Sequence, residues 1–265
     1  MARIDVPGGV IEVTQTGSGP DLVLLHSLLT DKDAFAPIVP ALAARRRVTL
    51  VDLPGFGAST PIELGAEPRI EAFADRVAGI FAPLALGPTT AVLGNGFGAF
   101  VALALALRRG DRFGPLIVCD GGAAFPDTGR AAFRTMAEKA TAAGMDAIVD
   151  IAVNRIFHPA YLAAHPGALA ERRAVLLKNE PRAFAAACRA LEIMDLRPGL
   201  AALRKRVLVI VGALDSATPP PLGRALAEAV AGARFVEIPD CGHCPPLEMP
   251  DTLLALLQPF LAETA

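Results

Sequence analysis

Short, solid apolar runs alternate along this chain with longer stretches whose apolar positions recur every three or four residues. Residues 4–14 alternate apolar and polar around Pro7-Gly8-Gly9, which predicts a hairpin. The runs Leu22–Leu25, Val48–Val51, Thr89–Leu93, Leu116–Cys119, Val207–Val211 and Phe235–Ile238 lack polar alternation. Such runs suit strands buried on both faces of a parallel sheet. Helical spacing falls between them, at Ile70–Phe81, Phe97–Arg108, Leu222–Val230 and Thr252–Leu261. The alternation predicts an α/β fold, a mostly parallel sheet flanked by helices.

One interval breaks the rhythm. From Asp120 to about Arg206 no strand pattern occurs, but Phe133/Met136/Ala140 and Phe184/Cys188/Leu191 recur at helical spacing. We therefore expect a core of residues 1–120 and 206–265. A helical lid of residues 121–205, inserted after the sixth strand, is expected over the strand ends. The run Ala91–Leu107, where only Asn95 is polar, is short for a membrane span and is interrupted by Gly94, Gly96 and Gly98. A strand, a tight glycine turn and a buried helix explain it better.

Composition narrows the class. The 265 residues are 53% hydrophobic, with 25 basic and 27 acidic side chains and a net charge of −2. That excludes a disordered chain and leaves no electrostatic footprint for nucleic acid or an anionic membrane. Four cysteines are too few and scattered for a disulfide scaffold. The first residues carry no apolar signal segment, so a cytoplasmic location is expected. The expected partner is a small-molecule substrate, and the expected state a monomer or homodimer.

Ligands of open α/β sheets bind beyond the carboxyl ends of the strands. Those ends read His26-Ser27-Leu28-Leu29-Thr30-Asp31, Asp52-Leu53-Pro54-Gly55-Phe56-Gly57, Gly94-Asn95-Gly96-Phe97-Gly98, Asp120-Gly121-Gly122, Gly212-Ala213-Leu214-Asp215 and Asp240-Cys241-Gly242-His243-Cys244. Asp215 followed by His243 suits a carboxylate that orients an imidazole base. The glycine turn would present position 96 to that base.

This arrangement resembles the α/β-hydrolase fold over essentially the whole chain. Within it the chain is most similar to the 3-oxoadipate enol-lactonase-like branch. The matching segments are Ser27-Leu28-Leu29-Thr30-Asp31, Met194-Asp195-Leu196-Arg197-Pro198-Gly199-Leu200, and Gly212-Ala213-Leu214-Asp215 running into Ala217-Thr218-Pro219-Pro220. The family's nucleophile elbow reads G-x-S-x-G, followed in the chain by the acid and then the histidine. Here the middle position is Gly96, so the nucleophile position is vacant and no acyl-enzyme is expected there. The resemblance implies Asp215 and His243 as the catalytic pair, and the backbone N–H groups of Leu28 and Phe97 as the oxyanion hole. It also places His26, Ser27 and Asn95 beside the substrate.

The implied function is binding of a small ester, lactone or related carbonyl compound. If the likeness extends to substrate, one or two of Arg130, Arg134, Arg155, His158, Arg172, Arg173, Arg182 and Arg189 pair with a carboxylate. Two explanations of Gly96 compete. It is an engineered replacement of serine, or it is native and the His243–Asp215 pair works directly on water or a substrate proton. Ser27 and Cys241 are the surrogate nucleophiles on offer, both discounted against those two. Cys241-Gly242-His243-Cys244 lacks a second ligand pair for zinc, so no metal and no organic cofactor are expected. Two rivals remain: an NAD-binding oxidoreductase, because Gly94-x-Gly96-x-x-Ala99 with Asp120 matches the dinucleotide fingerprint, and a non-catalytic small-ligand binder.

Overall fold

The computed structural model describes residues 1–62 and 68–263, so positions 63–67, 264 and 265 of the expected core segments lie outside the described residues. The hairpin is β1 (Ala2–Val6) and β2 (Gly9–Thr16), with Val6 opposite Gly9. The solid apolar runs become β3 (Asp21–Leu25), β4 (Arg47–Val51), β5 (Ala91–Asn95), β6 (Leu116–Cys119), β7 (Val207–Gly212) and β8 (Arg234–Ile238). All eight form one sheet in the order β1-β2-β4-β3-β5-β6-β7-β8. β2 pairs antiparallel with β4, and every pairing from β4 to β8 is parallel.

Between the strands lie α1 (Val39–Ala43), α2 (Ile70–Ala78) and α3 (Phe97–Arg109). After β6 come α4 (Asp127–Ala143), α5 (Asp146–Ile156), α6 (Pro159–Ala164), α7 (Ala168–Leu176) and α8 (Pro181–Ile193). The chain ends with α9 (Pro220–Ala229), α10 (Pro245–Glu248) and α11 (Pro250–Ala262).

Strand alternation divides the core in two. Leu22, Leu24, Leu93, Ile117 and Ile210 face α1 and α11, while Val23, Leu25, Val92, Val118 and Val209 face α2, α3 and α9. The five helices after β6 form one insertion, in which α4 packs along α8. The entering and leaving segments pair as an isolated bridge between Ala124 and Asp195.

One boundary matters for the site. The sequence predicts a strand over Thr89–Leu93, but β5 starts at Ala91 and continues through Gly94 and Asn95, whose partners on β6 are Val118 and Cys119. The turn is thus confined to Gly96, at φ 53° and ψ −117°, immediately before α3. A left-handed φ of this kind favours glycine. The Ala91–Leu107 run resolves into β5, this turn and α3, and among the described residues no helix is long and apolar enough to cross a membrane.

Candidate active site

The site begins where β3 and β5 end side by side. Gly98, in the first turn of α3, donates its N–H to the His26 carbonyl at 2.9 Å and ties the helix start to the loop after β3. A side chain at 98 would run into the Leu25 carbonyl, so glycine lets the two backbones touch. Phe97 packs edge-on against Phe73 with ring centroids 5.0 Å apart, fixing the helix start from behind. As the first residue of α3, Phe97 has an N–H with no acceptor in the helix. Among the described residues neither it nor the Leu28 N–H finds a partner.

Asp215 and His243 come together beyond β7 and β8. His243 Nδ1 lies 2.8 Å from Asp215 Oδ2. Asp215 Oδ1 accepts the N–H groups of Ala217 at 2.7 Å and Thr218 at 3.0 Å, and the Thr218 hydroxyl donates to Oδ2 at 2.5 Å. With Nδ1–H donated to the carboxylate, Nε2 is left facing the turn at Gly96. Burial works against the imidazolium, but the charge and hydrogen bond of Asp215 outweigh it and lift His243 to about 9. Burial would raise Asp215, yet the His243 charge and the hydrogen bonds from His243 and Thr218 bring it below its ordinary value.

Ser27, expected beside the substrate and discounted as a surrogate nucleophile, lies against the histidine. Its Oγ is 3.3 Å from His243 Nε2. A Cβ on residue 96 would overlap that same Oγ and stand 2.7 Å from Nε2. The hydroxyl therefore fills the space that a side chain at 96 would enter. No periodicity or motif signals this, because residues 27 and 243 meet only through the sheet order.

Two expected substrate contacts are corrected. Asn95 does not reach the cavity; as the last residue of β5 it is buried, and its amide donates to Cys119 O, Asp120 Oδ2 and His243 O at 3.2–3.3 Å. It is a strut for the His243 loop. His26 is fully buried: Nε2 accepts the Leu53 N–H at 3.1 Å, so Nδ1 carries the proton and donates to Ser27 O at 2.8 Å. Burial lowers its pKa, so this imidazole is a neutral brace between two loops.

A cleft lies over Gly96, Ser27 and His243, walled by Phe97, Phe100, Phe125, Phe133, Met136 and Leu191. The two predicted stripes of the insertion thus supply wall residues from α4 and α8. Arg155 of α5 also lines it, and an outer cavity shares Arg155, Phe125 and Ala217. Arg155 has no ion-pair partner among the described residues. The other arginines of the insertion point elsewhere: Arg134 pairs with Glu192 and Arg173 with Asp146, Arg172 faces Asp31 at 3.8 Å, Arg130 donates to Phe125 O, and Arg182 and Arg189 are exposed.

Remaining candidates are settled by burial. Cys241 packs with Ile238 and Leu253 on the opposite face of the sheet, and desolvation pushes its thiol far above the usual range. Ligand atoms of Asp120, Asp215 and His243 lie within 4.8 Å of one another, but Asp120 already accepts the Gly212 N–H at 2.8 Å and the Asn95 amide at 3.2 Å. The same two bonds bury the acid that the dinucleotide reading needs for a ribose hydroxyl.

Comparison with known proteins gives the family. Residues 22–256 match the model described as the Alpha/beta hydrolase family. A pimeloyl-[acyl-carrier protein] methyl ester esterase of Nitrosomonas europaea is 29% identical over 259 residues, 92% of this chain and 97% of that protein. The 3-oxoadipate enol-lactonase 1 of Acinetobacter baylyi is 26% identical over 253 residues, 95% and 92% of the two chains. Among solved structures, the enol-lactonase from Burkholderia xenovorans LB400 superposes with a TM-score of 0.91 at 32% identity, covering 98% of this chain and 100% of that one.

Proposed function

The chain belongs to the alpha/beta hydrolase family, and from that premise we propose that it hydrolyses a small, carboxylated ester or lactone. The reading rests on one observation above all: the His243–Asp215 pair, with Nε2 directed into an apolar cavity at the N-terminus of α3. The esterase and lactonase named among the relatives act on the same bond type.

In this reading His243 is the base and Asp215 holds its ring and tautomer. The free N–H groups of Leu28 and Phe97 take the developing oxyanion, aided by the α3 dipole. Residues 121–205 act as the lid on a core of 1–120 and 206–265, and their aromatic wall excludes water from the reacting bond. Arg155 receives the substrate carboxylate, a role that its planar fork suits. Position 96 offers no hydroxyl, so no acyl group is carried there.

The test separates binding from turnover. A panel of p-nitrophenyl esters, small lactones and their carboxylated analogues is followed for hydrolysis and, by calorimetry, for binding. Turnover that His243→Ala abolishes supports the reading, and Arg155→Ala should raise KM for carboxylated members alone. Binding without turnover would instead favour the receptor that the vacant position 96 allows.

A further inference from the structure

We propose that Ser27 is the nucleophile: its hydroxyl, on the loop after β3, attacks the substrate in place of the group absent from position 96. The inference rests on the hydrolase reading above and identifies the atom that forms the new bond.

Three observations carry it. The first is the contact between Ser27 Oγ and His243 Nε2, at 3.3 Å within a buried cavity wall. A serine and its base often stand at this looser spacing before substrate binds. The second is steric. Any Cβ at 96 would overlap Ser27 Oγ, so the bare turn and the Ser27 hydroxyl fit each other, one filling what the other leaves.

The third is rigidity. Ser27 O accepts from His26 Nδ1, Thr30 N and Thr30 Oγ1, and Ser27 N donates to Thr30 Oγ1 at 3.1 Å. His26 is itself pinned to Leu53. A nucleophile has to be held to within about 0.5 Å of its productive position, and such bracing achieves that.

The relocation also keeps the oxyanion site. An elbow nucleophile is followed directly by the residue whose N–H binds the oxyanion. Leu28 follows Ser27, and Phe97 faces it from α3 with its N–H free. The two loops exchange roles: the one after β3 brings the hydroxyl and one donor, and the α3 start brings the other.

The chemistry balances. His243 Nε2 takes the Ser27 proton as Oγ bonds to the carbonyl carbon. Collapse of the oxyanion breaks the ester C–O bond, and His243 returns the proton to the leaving alkoxide. Water, deprotonated by His243, then attacks the Ser27 ester. The second collapse breaks the Ser27 Oγ–acyl bond, releasing the carboxylic acid as His243 returns the proton to Oγ. Cys241 and Cys244 offer no competing thiolate, since burial holds both thiols protonated.

The experiment uses the full chain with a fluorophosphonate probe and p-nitrophenyl acetate. One phosphonate per chain is expected on the peptide containing Ser27, with a pre-steady-state burst of one equivalent of nitrophenolate. Ser27→Ala, checked for folding by its thermal melt, should lose the label and about 10³-fold or more of kcat. The paired change Ser27→Gly with Gly96→Ser should move the label to position 96. If folded Ser27→Ala keeps a turnover that His243→Ala still removes, the nucleophile is water and this proposal falls while the hydrolase reading stands. Label on another residue overturns it equally. A parent chain with neither turnover nor label would sink both.

Discussion

Two buried aspartates flank His243 and carry opposite tendencies. Hydrogen bonds and the imidazolium draw Asp215 below its ordinary range. Burial and the neighbouring Asp215 charge push Asp120 the other way, well above its ordinary value. Geometry agrees, since the His243 ring bonds Asp215 and not Asp120. Asp215→Asn should therefore cost about 10⁴-fold in kcat by inverting the imidazole tautomer. Asp120→Asn leaves the Asp215–His243 bond in place and should cost far less, about tenfold at most. Rates on one activated ester check both, and equal losses would mean that the acid is shared. The Asp215–His243 pair was legible in the sequence because chain order and flanking motifs mark it. Ser27 was legible as a site residue but discounted as a nucleophile, because its closeness to His243 depends on a 3.3 Å approach across 216 positions. Asn95 was misread because its strand runs two residues past the apolar run, turning the side chain into the sheet instead of the cavity.

At the scale of elements, α10 joins the insertion to the core. Glu248 accepts the N–H groups of Gly242 and Cys244, both at 3.0 Å, and of His158 at 3.1 Å. His243 N–H in turn donates to Ile156 O at 3.0 Å. The end of α5, the start of α6 and the His243 loop thus share one knot of hydrogen bonds. Glu248→Ala leaves three N–H groups without their acceptor, and a loss of about 2–4 kcal/mol is expected. Urea melts measure it, and a change below about 0.5 kcal/mol would show that water replaces the carboxylate freely. The long elements were readable because apolar runs and helical stripes persist over several turns. α10 has four residues and starts at Pro245-Pro246, and α1 has five, so neither gives a period to detect. The junction was hidden for a different reason: it is made of backbone donors, which leave no trace in residue identity.

For the whole molecule, the raised His243 pKa links folding and catalysis with opposite signs. The folded imidazole titrates near 9 against 6.5 for the free side chain, so the folded state holds the proton more tightly. Its stabilising contribution is complete below pH 6.5 and is lost as pH rises toward 9. Catalysis needs the deprotonated ring, so kcat/KM should climb over the same interval. The cleanest window is pH 6.5–8. Below it His26, whose pKa burial lowers, begins to titrate in the unfolded chain; above it Lys205, brought down to about 8 mainly by burial, contributes with the opposite sign. Across this window stability should fall by about 2 kcal/mol, a few degrees in Tm, while kcat/KM rises about 30-fold. His243→Gln should flatten the stability slope and remove the activity. A parent whose Tm stays level while its activity rises would place the titrating base outside the His243–Asp215 pair.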